Sequence, residues 1–237
     1  MQPQFYTSWF CPFAQRVWIA LVEKNISFDY IEQDPYDKNS QWLAVNPRGL
    51  VPTLVHNGQS IYESQVLLEY IDEVWSDTEP NFLPGSAYDR AHQRIWADYV
   101  SKKIVPPFYQ LLIKTGDARE EARKALLDNL ATLVSAMDGS GPYFAGSTPS
   151  LVDLMLIPFA LRFQSILAHF RHFSLPTSEN GKVWQRYWLW FEDMSSRASV
   201  RQTQPDLERL QQKYERYVDG TAQSEVAEAI RKGTTLP

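Results

Sequence analysis

Along residues 1 to about 75, short runs with strand-like alternation trade places with runs whose apolar residues recur every three to four positions. QFYTS at 4–8 predicts a strand. Residues 12–24, PFAQRVWIALVEK, place Phe13, Val17, Ala20, Leu21 and Lys24 at helical spacing. Pro12 suits the first turn of that helix, where a missing N–H costs nothing. ISFDYIE at 26–32 alternates as a second strand, and a short helix from Ser40 to Val45 is stopped by Asn46-Pro47-Arg48-Gly49. PTLVHNGQSIY then reads as a hairpin turning at Asn57-Gly58, a pair that tolerates the positive φ of a type I′ turn. An amphipathic helix, ESQVLLEYIDEVW, completes the order β-α-β-α-β-β-α, the pattern of an α/β unit.

From Thr78 to Tyr88 periodicity lapses and Pro80, Pro84 and Gly85 collect, which places a linker at 78–88 between domains 1–77 and 89–237. Beyond it, residues 88–114, 119–138, 150–169, 180–195 and 205–217 each carry helical spacing, so the second domain is expected to be all-helical. Pro106-Pro107 should break or bend the first of these helices. Ser150-Leu151-Val152-Asp153 has the spacing of a capping box, a folding role that keeps Asp153 out of any active site. The polar stretch after Asp219 is either a loosely docked helix or a disordered tail.

A chain of 237 residues with 44% hydrophobic content can bury a core in one large or two small domains. The net charge of -5 and pI near 5.4 argue against non-specific phosphate binding, so nucleic acid is not an expected partner. The longest apolar run, Leu154 to Leu161, is too short to span a bilayer and contains Pro158. The opening MQPQFYTSWF lacks the basic and apolar regions of a secretory leader, so a cytoplasmic protein without a membrane partner is expected. His56, His92, His169 and His172 lack metal-ligand spacing, and no metal is expected.

The one cysteine cannot form an internal disulfide. Cys11 falls between a strand and a helix, where unpaired N–H groups and the helix dipole favour thiolate, the nucleophilic form, and a lowered pKa is expected. The alternative is a small buried hydrophobe. Because position 14 is Ala rather than a second Cys, a thiol-exchange cycle must borrow an external thiol.

TSWFCPFAQRVWIAL, NPRGLVPTL and IYES, taken in order, resemble the cytosolic glutathione transferase superfamily, with features of both its omega and lambda classes that have a catalytic cysteine. The resemblance implies a thioredoxin-like N-terminal domain followed by an all-helical C-terminal domain, glutathione as co-substrate, and a homodimer. It implies that Cys11 forms a mixed disulfide with glutathione, that Phe13, Leu50, Val51 and Pro52 are among the glutathione-binding residues, and that Val51, before an expected cis-Pro52, offers its backbone to the cysteinyl part. Glu63 and Ser64, at a helix start, would take the γ-glutamyl ends, or simply cap the helix. Lys38 is the candidate for the glycine carboxylate, or a solvated surface lysine. In the aromatic-rich second half, Phe108 and Tyr109 are the candidates for an acceptor pocket taking a hydrophobic or aromatic small molecule.

The expected activity is therefore glutathione-dependent thiol transfer or deglutathionylation, of the dehydroascorbate reductase type among others. Conjugation is the enzymatic alternative, with Tyr6 or Ser8 in place of Cys11, and a ligandin that stores glutathione and aromatic molecules is the non-catalytic one.

Overall fold

The computed structural model describes residues 2–234. The N-terminal domain contains β1 (Gln4–Thr7), α1 (Pro12–Glu23), β2 (Asp29–Glu32), α2 (Ser40–Val45), β3 (Thr53–His56), β4 (Gln59–Tyr62) and α3 (Ser64–Val74), in the anticipated order. The sheet runs β2-β1-β3-β4, with β1 parallel to β2 and antiparallel to β3, and β3 antiparallel to β4. Asn57 and Gly58 both have positive φ at the tip of the β3–β4 hairpin. Phe5 and Leu54, paired across β1 and β3, are fully buried in the same core as Val17, Leu21, Leu67 and Ile71 of α1 and α3.

Lys24, placed among the apolar positions of α1 by its spacing, is indeed buried. Its ammonium is compensated by Asp72 Oδ1 at 3.1 Å and by the carbonyls of Thr78 and Trp75 at 2.6 and 3.2 Å. Asp72 also accepts from the N–H groups of Phe82 and Leu83. The segment read as a linker is therefore fastened, and it buries Phe82 and Leu83.

The second domain is helical: α4 (Ala87–Tyr99), α5 (Val105–Ile113), α6 (Gly116–Ser135), α7 (Leu151–Arg162), α8 (Ala168–Arg171), α9 (Lys182–Ser196), α10 (Ala198–Gln202), α11 (Leu207–Val218) and α12 (Glu225–Lys232). Pro106 and Pro107 do not break their helix. A π-helical turn at Val100–Ile104 joins α4 to α5, and the prolines enter in the first turn after it. Widening the turn accommodates residues that cannot donate an N–H. A second π turn, Phe163–Leu167, joins α7 to α8. Leu151–Arg171 is long and apolar enough to cross a membrane, but it is mostly buried inside this fold, as the core helix of a folded protein is.

Asp153 closes the expected capping box, taking the N–H and hydroxyl of Ser150, and goes further by accepting from Phe144 N and Trp190 Nε1. The tail resolves to the docked helix rather than disorder. On α12, Ala227, Ala229 and Ile230 are buried and Ser224 caps the start. The last three residues of that tail, 235–237, lie outside the described residues.

Candidate active site

Cys11 is the N-cap of α1, held there by its own N–H on Ser8 O at 2.9 Å and by Gln15 N on its carbonyl at 3.0 Å. Its half-buried thiol is oriented toward Val51 O, 4.0 Å from Sγ. Burial pushes the thiol pKa above its ordinary 9.0, against the downward pull of the Ala14 and Phe13 N–H groups and the charges of Arg162 and Arg16. This corrects the expectation of a lowered value. The helix terminus acts in the anticipated sense, but desolvation outweighs it.

Two buried arginines lie behind the cysteine. Arg16 donates to Met155 O and to Ser64 Oγ, each at 3.0 Å, with its guanidinium 5.0 and 5.2 Å from the Phe13 and Phe159 ring centres. Burial lowers its pKa to about 9. Arg162 donates Nη2 to Phe10 O at 2.9 Å, Nη1 to Gln15 and to Pro158 O, and Nε to the Tyr214 hydroxyl at 2.9 Å.

The floor of the pocket in front of Cys11 comes from the N-terminal domain. Phe13, Leu50, Val51, Pro52, Glu63 and Ser64 all line it. The Val51-Pro52 bond is cis. The buried amide of Asn46 holds the preceding loop, donating to Leu50 O and Thr53 Oγ1 at 2.9 Å each. Glu63, the residue before α3, has φ 75°, a conformation that costs a non-glycine residue about 1–3 kcal/mol and that clusters at functional sites. Its carboxylate pairs with Arg48, and no side chain caps α3. Glu63 occupies the N-cap position, but neither its side chain nor that of Ser64 caps the helix, and the terminus presents its first-turn N–H groups without a side-chain partner.

The opposite wall is largely tyrosine. Tyr36, Tyr109, Tyr214 and Tyr217 line it. Tyr214 and Tyr217 stack at 5.3 Å, and Tyr109 lies 5.7 Å from Tyr217. Phe108 does not reach the pocket; it is fully buried among Phe159, Phe163 and Tyr214. Adjacent positions on a helix point about 100° apart, which separates Phe108 from Tyr109. Tyr6 stacks on Trp42, and Ser8 donates to Glu32; neither lines the pocket.

The last helix closes one side through Ser224, Glu225 and Val226. Lys38 is not among the lining residues; its ammonium bonds Arg48 O and Glu225 Oε1, both at 2.9 Å. Sequence reasoning missed Tyr214, Tyr217 and the two arginines, and it did not place α12 at the pocket. The three-residue spacing of the tyrosines on one helix face and the apolar stripe Val226, Ala227, Ala229, Ile230 were the available signals. Among the described residues no group of three or more His, Cys, Asp or Glu is placed to hold a metal.

Residues 10–74 match the family model of the glutathione S-transferase N-terminal domain, and residues 116–193 match that of its C-terminal domain. The chain belongs to the glutathione S-transferase family. It is 36% identical over 199 residues to the probable glutathione S-transferase parC of Nicotiana tabacum, covering 84% of this chain and 87% of that one. To glutathione S-transferase U19 of Arabidopsis thaliana it is 36% identical over 203 residues, 85% and 89% of the two chains. Among solved structures, glutathione transferase Omega 3C from Trametes versicolor superposes with a TM-score of 0.78 at 37% identity, over 87% of this chain and 90% of that one. A rice glutathione transferase in complex with glutathione gives a TM-score of 0.82 at 29% identity, over 93% and 98%. The transferase thus has plant relatives of the U series beside a fungal omega structure of similar identity.

Proposed function

We propose that this transferase is a glutathione-dependent thioltransferase of omega-like type that works through a Cys11–glutathione mixed disulfide. The supporting observation is the position of the thiol: it faces the pocket at a helix N-terminus, beside a cis-proline edge and across from the uncapped start of α3. The thiolate attacks the sulfur of a glutathionylated substrate and becomes glutathionylated; a second glutathione then releases it as glutathione disulfide.

In this reading Val51 pairs with the cysteinyl backbone of glutathione as an added strand would, with Phe13 and Leu50 beside it. The γ-glutamyl carboxylate takes the α3 N–H groups and the Ser64 hydroxyl, and Glu63 faces the ammonium. Lys38 takes the glycine carboxylate once it lets go of Glu225. The tyrosine wall receives a hydrophobic or aromatic acceptor, with Tyr109 in contact and Phe108 as its support.

Conjugation is the second reading, favoured by the plant relatives and by a thiol that burial keeps protonated. Reduction of a small mixed disulfide by glutathione separates the two, measured for the wild type and for Cys11→Ala with intact mass after exposure to oxidised glutathione. Turnover that is lost in the variant, with an adduct confined to Cys11, is expected. Absence of both turnover and adduct, with conjugation retained in Cys11→Ala, overturns thiol transfer; tight binding of aromatic ligands with no product of either kind points to a ligandin.

The protein also reads as a homodimer. Val66 on α3 and Ile95 on α4 are 52% and 63% exposed, flanking an Arg94–Glu69 ion pair that joins the two helices. A monomer mass at micromolar concentration in sedimentation velocity counts against it.

A further inference from the structure

We propose that Tyr214 is the proton donor to the departing group in the glutathionylation half-reaction, with Arg162 as the residue that positions and polarises it. This rests on the thioltransferase reading of Cys11. The pocket contains several tyrosines, and their partners distinguish them. The Tyr217 hydroxyl is paired with Ser224 Oγ at 2.9 Å. Tyr214 alone has a guanidinium on its oxygen: Arg162 Nε donates to it at 2.9 Å. That bond and one from the Tyr109 hydroxyl occupy the acceptor side of the Tyr214 oxygen, so its own O–H is the donor left for a substrate.

Arg162 has little freedom of its own. Its two other nitrogens are tied to Gln15 Oε1, Pro158 O and Phe10 O at 2.7 to 2.9 Å, and the side chain is 1% exposed. Phe10 directly precedes the cysteine, so one cation connects the backbone at the nucleophile to the hydroxyl on the facing wall. Burial raises the Tyr214 pKa, which keeps its proton in place at rest, while Arg162 favours the tyrosinate left after transfer. Tyr109 has no such cation on its oxygen, and burial pushes its pKa well up.

The chemistry balances for an α-glutathionyl ketone. Cys11 thiolate attacks the glutathionyl sulfur, an S–S bond forms and the C–S bond breaks, its electron pair passing to the carbon and carbonyl as an enolate. Tyr214 protonates the enolate and recovers its proton from solvent. The carbon is reduced by two electrons and the two sulfurs are oxidised to a disulfide, which a second glutathione reduces. A good leaving group, such as an acidic aromatic thiolate, departs without a proton.

The two substrate classes supply the test. Single-turnover rates are measured for wild type and Tyr214→Phe with S-phenacylglutathione and with a mixed disulfide of glutathione and an aromatic thiol of low pKa. The expected result is a loss of about 10²-fold on the ketone, the usual scale of general acid catalysis, with less than a threefold change on the disulfide. A normal solvent deuterium isotope effect on the wild-type ketone reaction, absent with the disulfide, is expected as well and needs no variant. Equal losses on both substrates, no loss on the ketone, or no isotope effect overturns the proposal. A wild type that turns over neither substrate and acquires no Cys11 adduct instead overturns the thioltransferase reading beneath it.

Discussion

Lys38 Nζ stands 2.9 Å from Glu225 Oε1, tying the loop after β2 to the first residue of α12 at the edge of the pocket. If Lys38 is the anchor for the glycine carboxylate, Glu225 holds the place of that carboxylate in the free protein. The pair is about one-third exposed, so its worth is a few tenths to about 1 kcal/mol. Glu225→Gln is then expected to tighten glutathione binding up to about fivefold, and Lys38→Met to weaken it, with melting temperatures nearly unchanged. Isothermal titration decides: equal affinities for both variants and the wild type remove Lys38 from the site.

The raised thiol pKa of Cys11 has a pH consequence of definite sign. Burial disfavours the thiolate, so the folded protein keeps the proton to higher pH than the unfolded chain. The associated stability is complete below the ordinary value of 9.0 and is lost as pH rises through the folded value. Alkylation of Cys11 by iodoacetamide in the ligand-free protein is expected to climb through pH 9 without levelling. A plateau near pH 7 contradicts it.

The parts legible in the sequence were those with a local signature. Periodicity and turn residues gave β1 through α3, and the capping spacing of Ser150 and Asp153 gave the start of α7. Most of the pocket floor followed from three short motifs, because Cys11, Val51, Pro52, Glu63 and Ser64 sit at element ends whose geometry the neighbouring residues dictate. The tyrosine wall was not legible in that way. Tyr214 comes to line the same pocket as Cys11 through the packing of α11 against α5 and the Phe163–Leu167 turn, and a helical pattern shows which face is buried but not what it faces. The thiol pKa likewise depends on desolvation by residues far away in sequence, Tyr109, Tyr214 and Tyr217 among those lining the same cavity.

Phe108 and Tyr109 are adjacent in sequence and differ in role. Phe108 is fully buried, and Phe108→Ala is expected to cost about 3–5 kcal/mol in urea unfolding. Tyr109→Phe keeps the ring packing of a pocket-lining residue and removes only its hydroxyl, with the bond to Tyr214, so it is expected to shift KM for aromatic acceptors at least threefold with little change in Tm. Matching losses of stability in the two variants, with KM unmoved in Tyr109→Phe, remove Tyr109 from the acceptor site.

Asp153 carries four donors on two oxygens: Phe144 N and Trp190 Nε1 on Oδ1, and Ser150 N and Oγ on Oδ2, all within 2.7 to 2.9 Å. Burial nevertheless raises its pKa, so the share of stability linked to that proton is present below 3.8 and is lost as pH rises through the folded value. The hydrogen bonds are a separate contribution. Removing the carboxylate strands several buried donors at about 1–3 kcal/mol each, so Asp153→Ala is expected to destabilise the protein by roughly 3–5 kcal/mol. Asp153→Asn conserves volume but turns an amide N–H₂ toward Ser150 N or toward Trp190, so it should recover less than half of that loss. Because Asp153 lies outside the pocket, alkylation of Cys11 per folded molecule should stay within about twofold of wild type in both variants. A near-neutral Asp153→Asn in urea unfolding would show that the volume of the buried group, not its acceptors, holds the start of α7 against α9.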